Sequence, residues 1–252
     1  MIIHDTDKEY FAHEYLSRSD IANLNRSYRY FLHKKNCQRS ETKDMRIGSA
    51  VHCLILEPEN FDKRFAVWDG VRKGKAYDAF SQENAGKSIL NASENEDVMA
   101  MVESIPEEIA LKLQPCAKEV SVYNDQLKLK CRIDAYDEKE GVIYDLKTIS
   151  NIYEAEHHGP KFAYHIQAAL YGDLMELETF QKLKFVFLFI DKETNFWFER
   201  DYDDEAIEFG RKQIERGVEI FKTKTTFTAR ETMSLPAYYL KKQNELMSGA
   251  IL

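Results

Sequence analysis

Glycine and proline are scarce, with 10 and 5 among 252 residues. That excludes a collagen-like repeat, and 44% apolar with 31% charged residues excludes a disordered or low-complexity chain. Long apolar runs are missing too. The longest, Phe185 to Ile190, is far short of the ~20 residues a membrane span requires, so no membrane association is expected. Met1 to Tyr10 is polar and acidic, so no secretory signal is expected either. The four cysteines (Cys37, Cys53, Cys116, Cys131) never fall in a Cys-x-x-Cys pair. This argues against a disulfide framework or zinc site and for a cytoplasmic setting with cysteines as packing residues. No glycine-rich phosphate cradle exists. Ala85-Gly86-Lys87-Ser88 would need Gly at position 81, where Ser81 stands, so a nucleotide-driven motor is excluded and no nucleotide cofactor is expected.

The formal charge is −8, which argues only weakly against nucleic-acid binding, because phosphate contacts depend on local patches. The distribution is uneven. Arg26 to Arg46 holds seven basic and two acidic residues, whereas Glu199 to Glu219 holds eight acidic and four basic ones. An acidic chain of this kind can still present one basic face.

The patterning predicts a single domain over residues 1–252. A helical part spans about 14–105, a sheet core about 117–200 and C-terminal helices about 203–248. Ser19 reads as an N-cap for a helix in which Ile21, Leu24, Tyr28, Phe31 and Leu32 recur at helical spacing. Ile47 to Leu56 reads as a second helix ending before Pro58, and Glu94 to Ser104 as another ending before Pro106. From Lys118 the period changes to two. KEVSVYND and QLKLKCRIDAYD read as strands, Asp137 to Gly141 as a turn, and Val142 to Thr148 as the returning strand. A helix beginning near Pro160 follows, with Phe162, Ile166, Ala169, Leu170 and Leu174 on one face. Next come the strands KFVFLFID and NFWFERDYD, a helix from Asp203 to about Lys222, and a short amphipathic C-terminal segment. The order gives an α/β fold, with a central mixed sheet flanked by helices and extra helices at the N-terminus.

The most informative spacing is Asp134-x10-Asp145-x-Lys147. In a hairpin turning near Lys139, Asp134 lies opposite or diagonal to Asp145. Asp145 and Lys147 share one face while Leu146 points the other way. Converging charges on an apolar hairpin need partners. Two readings stay open on these residues alone: a cross-strand salt bridge with Lys147 extended toward solvent, or two carboxylates and a carbonyl holding a hard divalent cation.

The segment CRIDAYDEKEGVIYDLKT resembles the core motif of the PD-(D/E)XK nuclease superfamily. LSRSDIANLNRSYRYFLHKK, MRIGSAVHCLILEPENFDKRFAV, the strand pair and HIQAALY, in that order over roughly residues 14 to 190, are together similar to the nuclease domain of RecE-type exonucleases (exodeoxyribonuclease VIII). The resemblance implies His52, Asp134, Asp145 and the Leu146 carbonyl as metal ligands, with Glu119 as an additional carboxylate. It implies Lys147 as the catalytic lysine, with Gln167 and Tyr171 beside it as a Gln-x-x-x-Tyr pair whose i, i+4 spacing keeps both on one helix face. Each has a plainer alternative: His52 as a buried helix histidine, Gln167 as an ordinary helix residue, Tyr171 as core. Arg26, Arg29, Arg72, Lys73 and Lys75 are the candidates for phosphate contacts, with Tyr28 and Tyr30 placed to stack on an end base. Lys34 and Lys35 read as a solvated face, and His157-His158 as a solvated loop.

The resemblance further implies a Mg²⁺-dependent exonuclease, with Mn²⁺ as a substitute and no iron–sulfur cluster, since no cysteine follows Cys131. Its substrate would be linear double-stranded DNA degraded 5′ to 3′. The product would be a 3′ single strand for a RecT-type annealing partner, made by a ring-shaped homotetramer or trimer. The setting would be the bacterial cytoplasm, with a phage or prophage origin. The longest family members carry a large N-terminal extension, and the resemblance implies that this chain is nearly all nuclease. A non-catalytic DNA-binding or assembly module, or an endonuclease, are the alternatives on the same scaffold.

Overall fold

The period-2 stretch forms the centre of a six-stranded sheet in the computed structural model, which describes residues 2–37, 41–152, 159 and 161–224. The three central strands are β4 (Ala117–Asn124), β5 (Leu129–Asp137) and β6 (Val142–Ile149). To one side β4 pairs with the two-residue β1 (Ile2–Ile3). To the other, β6 runs parallel to β7 (Lys184–Asp191), which pairs with β8 (Trp197–Arg200), giving the order β1-β4-β5-β6-β7-β8. Within this sheet, among the described residues, the β6–β7 pair is the parallel one, and a parallel pair needs a crossover. The chain supplies a helix there, Tyr164–Thr179. β7 is buried from Phe185 to Asp191, as a strand covered on both faces must be.

The helices complete two layers. In chain order they are α1 (Asp7–Ala12), α2 (Arg18–Arg26), α3 (Tyr28–Asn36), α4 (Lys43–Leu56), the short α5 (Phe61–Arg64), α6 (Lys75–Glu83), α7 (Ala92–Glu103), α8 (Glu107–Leu113), α9 (Tyr164–Thr179) and α10 (Asp204–Thr223). On one face Ile21 and Leu24 of α2, Ile166, Leu170 and Leu174 of α9 and Ile214 of α10 cover Val120, Val122, Ile133, Ile143 and Phe187. On the other, Ile47, Ala50 and Val51 of α4, Val98 and Met101 of α7 and Ile109 of α8 cover Ala135, Tyr144, Leu146, Val186 and Leu188.

Several expectations need correcting. The first cap is Ser17, not Ser19: its hydroxyl accepts from the Asp20 N–H while the Asp20 carboxylate accepts from the Ser17 N–H. The single helix expected through Leu32 is two, because Ser27 adopts extended backbone, ends α2 and caps α3. The charged stretch from Arg72 to Leu90 contains α6 and β3 (Ser88–Asn91), and β3 pairs in parallel with β2 (Phe65–Trp68) as a separate two-stranded sheet. Phe162 lies before α9, which starts after the left-handed Ala163, and is 43% exposed rather than on the buried face. Cys53, Cys116 and Cys131 are packing residues, but Cys37 is exposed. Pro160, His157, His158 and the C-terminal amphipathic segment lie outside the described residues.

α7 has a buried ionic anchor. Glu94 forms a capping box with Asn91 and accepts from Arg46 (2.7 Å) and Arg72 (2.7 Å) at 2% exposure. Burial alone would raise its pKa, but the bonds from Arg46 and the Asn91 N–H, with both guanidinium charges, overcome this and lower it to about 2. A carboxyl depressed on folding contributes stability above its ordinary pKa near 4.5, and that contribution is lost as pH falls toward 2. Glu94→Gln should therefore cost about 3 kcal/mol at pH 7, and the gap to the parent protein should close between pH 5 and 2. Denaturant titrations of both proteins across that range test this; a gap independent of pH would refute it.

Candidate metal centre and nucleic-acid cleft

The sheet is pulled open where the acidic residues stand. The β5–β6 ladder runs from Asp137↔Val142 to Ala135↔Tyr144 and stops, so the next facing pair, Asp134 and Asp145, is not zipped. The β4–β5 ladder skips Glu119, the residue that faces Asp134 in that register. Glu119 has φ +49°, a left-handed conformation costly for a residue with a Cβ. Inward-facing residues also change phase here: Ile133 belongs to the α2/α9 core and Ala135 to the α4/α7 core. Strain, a ladder gap and a phase change thus coincide at one point of the sheet.

α4 delivers a histidine to that point. Gly48 makes the approach possible, since a Cβ there would lie 3.0 Å from Thr148 Oγ1 at the end of β6. One turn later His52 projects over the opened strands, with Nδ1 3.4 Å from Asp134 Oδ2. Its ring is also hydrogen-bonded to the Leu146 backbone, whose N–H donates to Asp134 Oδ2 at 2.8 Å. Ligand atoms of His52, Glu119 and Asp134 all lie within 4.8 Å of one another. Burial lowers the His52 pKa, keeping the imidazole neutral and able to bind a metal. Burial raises the Glu119 pKa to about 8, and the neighbouring Asp134 and Glu57 carboxylates add to it. A cation beside this cluster would reverse that penalty.

Asp145 stands differently from the expectation that it shares ligation with His52 and Asp134. It is 1% exposed and lies outside the three-residue cluster. A buried carboxylate takes the nearest donors, and here these are the Lys147 ammonium, two residues on, and Gln167 Nε2 at 2.5 Å. Burial raises its pKa to about 7 against the pull of Lys147, with Asp134 close enough to add to the rise. Gln167 Oε1 is buried and accepts from no group among the described residues, an orphaned acceptor facing a charged site. Lys147 lies over the Tyr164 ring, which confines the ammonium. Tyr171, one turn after Gln167, is 9% exposed and lines a cleft over the cluster; burial pushes its hydroxyl pKa well up.

A cleft of about 880 Å³ opens onto His52, Glu119, Asp134 and Tyr171. Its basic lining is not the set read from sequence: Arg18, Lys34, Lys35, Arg64, Lys130 and Arg132 face it. Arg72 does not. It lines a separate pocket and donates to Glu94 and the Ile89 carbonyl, so its charge is already paired there. Lys73 and Lys75 are exposed near that pocket, outside the cleft lining, as are Arg26 and Arg29 on α2 and α3. Tyr30 does not offer a free stacking face, since Arg26 and Lys34 lie over its ring, and Tyr28 packs against the core. Lys34 and Lys35, read as a solvated face, reach the cleft because the Ser27 break turns α3. Arg18 follows the cap Ser17 directly, Arg64 ends α5, and Lys130 and Arg132 alternate with the core residues Leu129, Cys131 and Ile133 on β5. A strand register could have revealed Arg132, two residues before Asp134 on the same strand; nothing in the spacing marks Arg64.

A mixed sheet whose strands part around a His/Glu/Asp cluster beside a buried Asp-x-Lys pair is a fold with a candidate metal centre of the PD-(D/E)XK type. The chain belongs to the DUF3799 family, described as a PDDEXK-like domain of unknown function, which matches residues 17–234. Among solved structures it is similar to a candidate exonuclease from Eubacterium rectale. That likeness has a TM-score of 0.66 and 16% identity, covering 92% of this chain and 97% of the other. A second, SSO0001, aligns with a TM-score of 0.38 and 15% identity over 87% of this chain and 84% of that one. No curated protein matches the chain. At 16% identity the Eubacterium rectale structure speaks to the fold alone.

Proposed function

We propose that this chain is a metal-dependent nuclease hydrolysing phosphodiester bonds of linear double-stranded DNA. The observation that carries the reading is the meeting of His52, Glu119 and Asp134 within 4.8 Å at the floor of a basic-walled cleft, beside the buried Asp145–Lys147 pair. One imidazole nitrogen and two carboxylates form a hard donor set that suits Mg²⁺, with Mn²⁺ as a substitute. The unsatisfied Gln167 Oε1 is a further polar atom for the water such a site holds. A divalent cation there supplies an activated water and a polarised phosphate.

The chain's own residues then divide the remaining work. Lys147 places a positive charge where the reacting phosphate gains negative charge. Gln167 holds Asp145, and the Leu146 N–H holds Asp134, so the carboxylates are oriented before substrate arrives. Arg18, Lys34 and Lys35 lie along the cleft wall to bind the backbone. The RecE-type resemblance supports the finer reading: attack from an end, 5′ to 3′, leaving a 3′ strand for a RecT-type annealing protein, within a homotrimeric or homotetrameric ring in a bacterial cell carrying phage-derived genes. Among the described residues no helix is long and apolar enough to cross a membrane.

Digestion of end-labelled linear duplex and closed circular duplex, with Mg²⁺ or EDTA, tests this. Mg²⁺-dependent loss of the linear form alone is expected, and blocking one terminus at a time reads the polarity. Cutting of the circle would make the protein an endonuclease, and survival of both would make it a binding module.

A further inference from the structure

The wall of the cleft beside the metal cluster holds an ionic arrangement that the hydrolytic scheme does not use. Asp7, on the first turn of α1, bridges two arginines. Its Oδ2 lies 3.5 Å from Arg64 Nη2, and its Oδ1 is bonded to Arg132 Nη1. All three residues line the cleft with His52, Glu119 and Asp134. Arg64 acts electrostatically on His52, and Arg132 on Glu119, so the pair sits against the cluster.

The three partners are not held equally. The Arg132 side chain is 12% exposed and fixed by Asp5, itself 7% exposed, which also accepts from Ser121 at 2.5 Å and from Tyr123. The guanidinium lies over the Tyr10 ring as well. Arg64 bonds Glu57 at 3.2 Å and lies over Phe65. Arg132 is therefore preset without Asp7, while Arg64, 38% exposed, keeps its place through Glu57 and Phe65. Asp7, by contrast, is 55% exposed, and an ion pair open to water contributes little. It is the replaceable anion between the two arginines.

We propose that Arg64 and Arg132 form a phosphate subsite for the nucleic-acid backbone next to the metal cluster, and that the Asp7 carboxylate occupies it until a substrate phosphate displaces it. This rests on the nuclease reading for its substrate class. Two guanidinium groups about one anion are what a phosphodiester selects, because its two free oxygens match paired N–H donors. The carboxylate in the same position keeps two arginines from repelling each other in the free protein and sets a threshold that an isolated phosphate meets less readily than a strand anchored along the whole cleft.

The test is binding of a 20-base-pair duplex by the full chain, with Ca²⁺ in place of Mg²⁺, over a salt series. Asp7→Asn should tighten binding about threefold to tenfold and steepen the slope of log K against log salt by about one. Asp62→Asn, which removes the same charge from an exposed α5 position outside the cleft lining, should do much less. Adding Arg64→Gln to Asp7→Asn should abolish the gain. Unchanged or weaker binding by Asp7→Asn, an equal gain from Asp62→Asn, or no duplex binding by any of the proteins would overturn the subsite. The nuclease reading is judged separately, by Mg²⁺-dependent hydrolysis with the unaltered protein, so either idea can fail alone.

Discussion

Asp134→Asn and Lys147→Ala are each expected to slow phosphodiester hydrolysis by about a thousandfold while the protein remains folded. Asp134→Asn removes a charge at constant shape. The Asn oxygen can still accept from the Leu146 N–H, so the β5–β6 junction keeps its bond, but the anion beside His52 and Glu119 is gone. For Lys147 the concern is the partner left behind, since an unpaired buried charge destabilises a fold by several kcal/mol. Asp145 avoids that penalty by taking up a proton. Burial already raises its pKa to about 7 with Lys147 present, and without the ammonium it would rise further. At neutral pH the orphaned group is then a neutral acid still bonded to Gln167. Rates on labelled linear duplex, with thermal melts of the same preparations, check both variants. Hydrolysis near the parent rate in either would remove that residue from the mechanism.

Local patterning made the sheet legible. Alternation from Lys118 to Thr148 marks strands because each is half committed to a helix-covered core, and the Gly141 turn sits at φ +66° as glycine permits. The apolar run of β7 could be read because a strand covered on both faces is apolar throughout. What stayed hidden was set by distance in sequence. β1 is two residues long and exists because β4 offers it an edge. β2 and β3 pair in parallel across α6, and neither has enough alternation to announce itself. Ser17 and Ser19 both suit a cap, and the choice fell to the one with Asp three residues on.

The candidate site divides along the same line. His52, Asp134, Asp145, Lys147, Gln167 and Tyr171 were readable as an ordered set, and Glu119 as an additional carboxylate. Their grouping was not. Spacing could not say that Glu119 joins His52 and Asp134 while Asp145 turns toward Lys147 and Gln167. The basic residues that line the cleft were the hardest to read. Arg72 sits in a charged stretch, yet its partner Glu94 is 22 residues away and buried, which turns a surface candidate into an anchor. A cation's role depends on which carboxylate reaches it first, and the three-dimensional fold decides that.

The site's hold on Gln167 also depends on a helix crossing, and the crossing depends on Gly210. α10 passes over α9 so closely that a Cβ at Gly210 would lie 2.5 Å from the His165 carbonyl oxygen and 2.9 Å from Ala169 Cβ. His165 sits two residues before Gln167, and its ring bonds Gln213 of α10 at 2.9 Å, so the two helices are pinned at this height. Exchanging a helical Gly for Ala ordinarily stabilises by up to about 1 kcal/mol. Gly172 of α9 should behave that way, because a Cβ there meets nothing within 4 Å. Gly210→Ala should do the opposite. Its contact is backbone, which cannot swing aside, and overpacking of this kind costs about 3 kcal/mol, or a fall in Tm of about 6–12 °C for a domain of this size. Moving α9 away from the sheet would also lengthen the Gln167–Asp145 bond, so hydrolysis should fall with stability in Gly210→Ala and hold steady in Gly172→Ala. Calorimetry on the two variants decides the point: equal melting temperatures would mean that α9 and α10 do not cross at Gly210, and that Gln167 is positioned by something else.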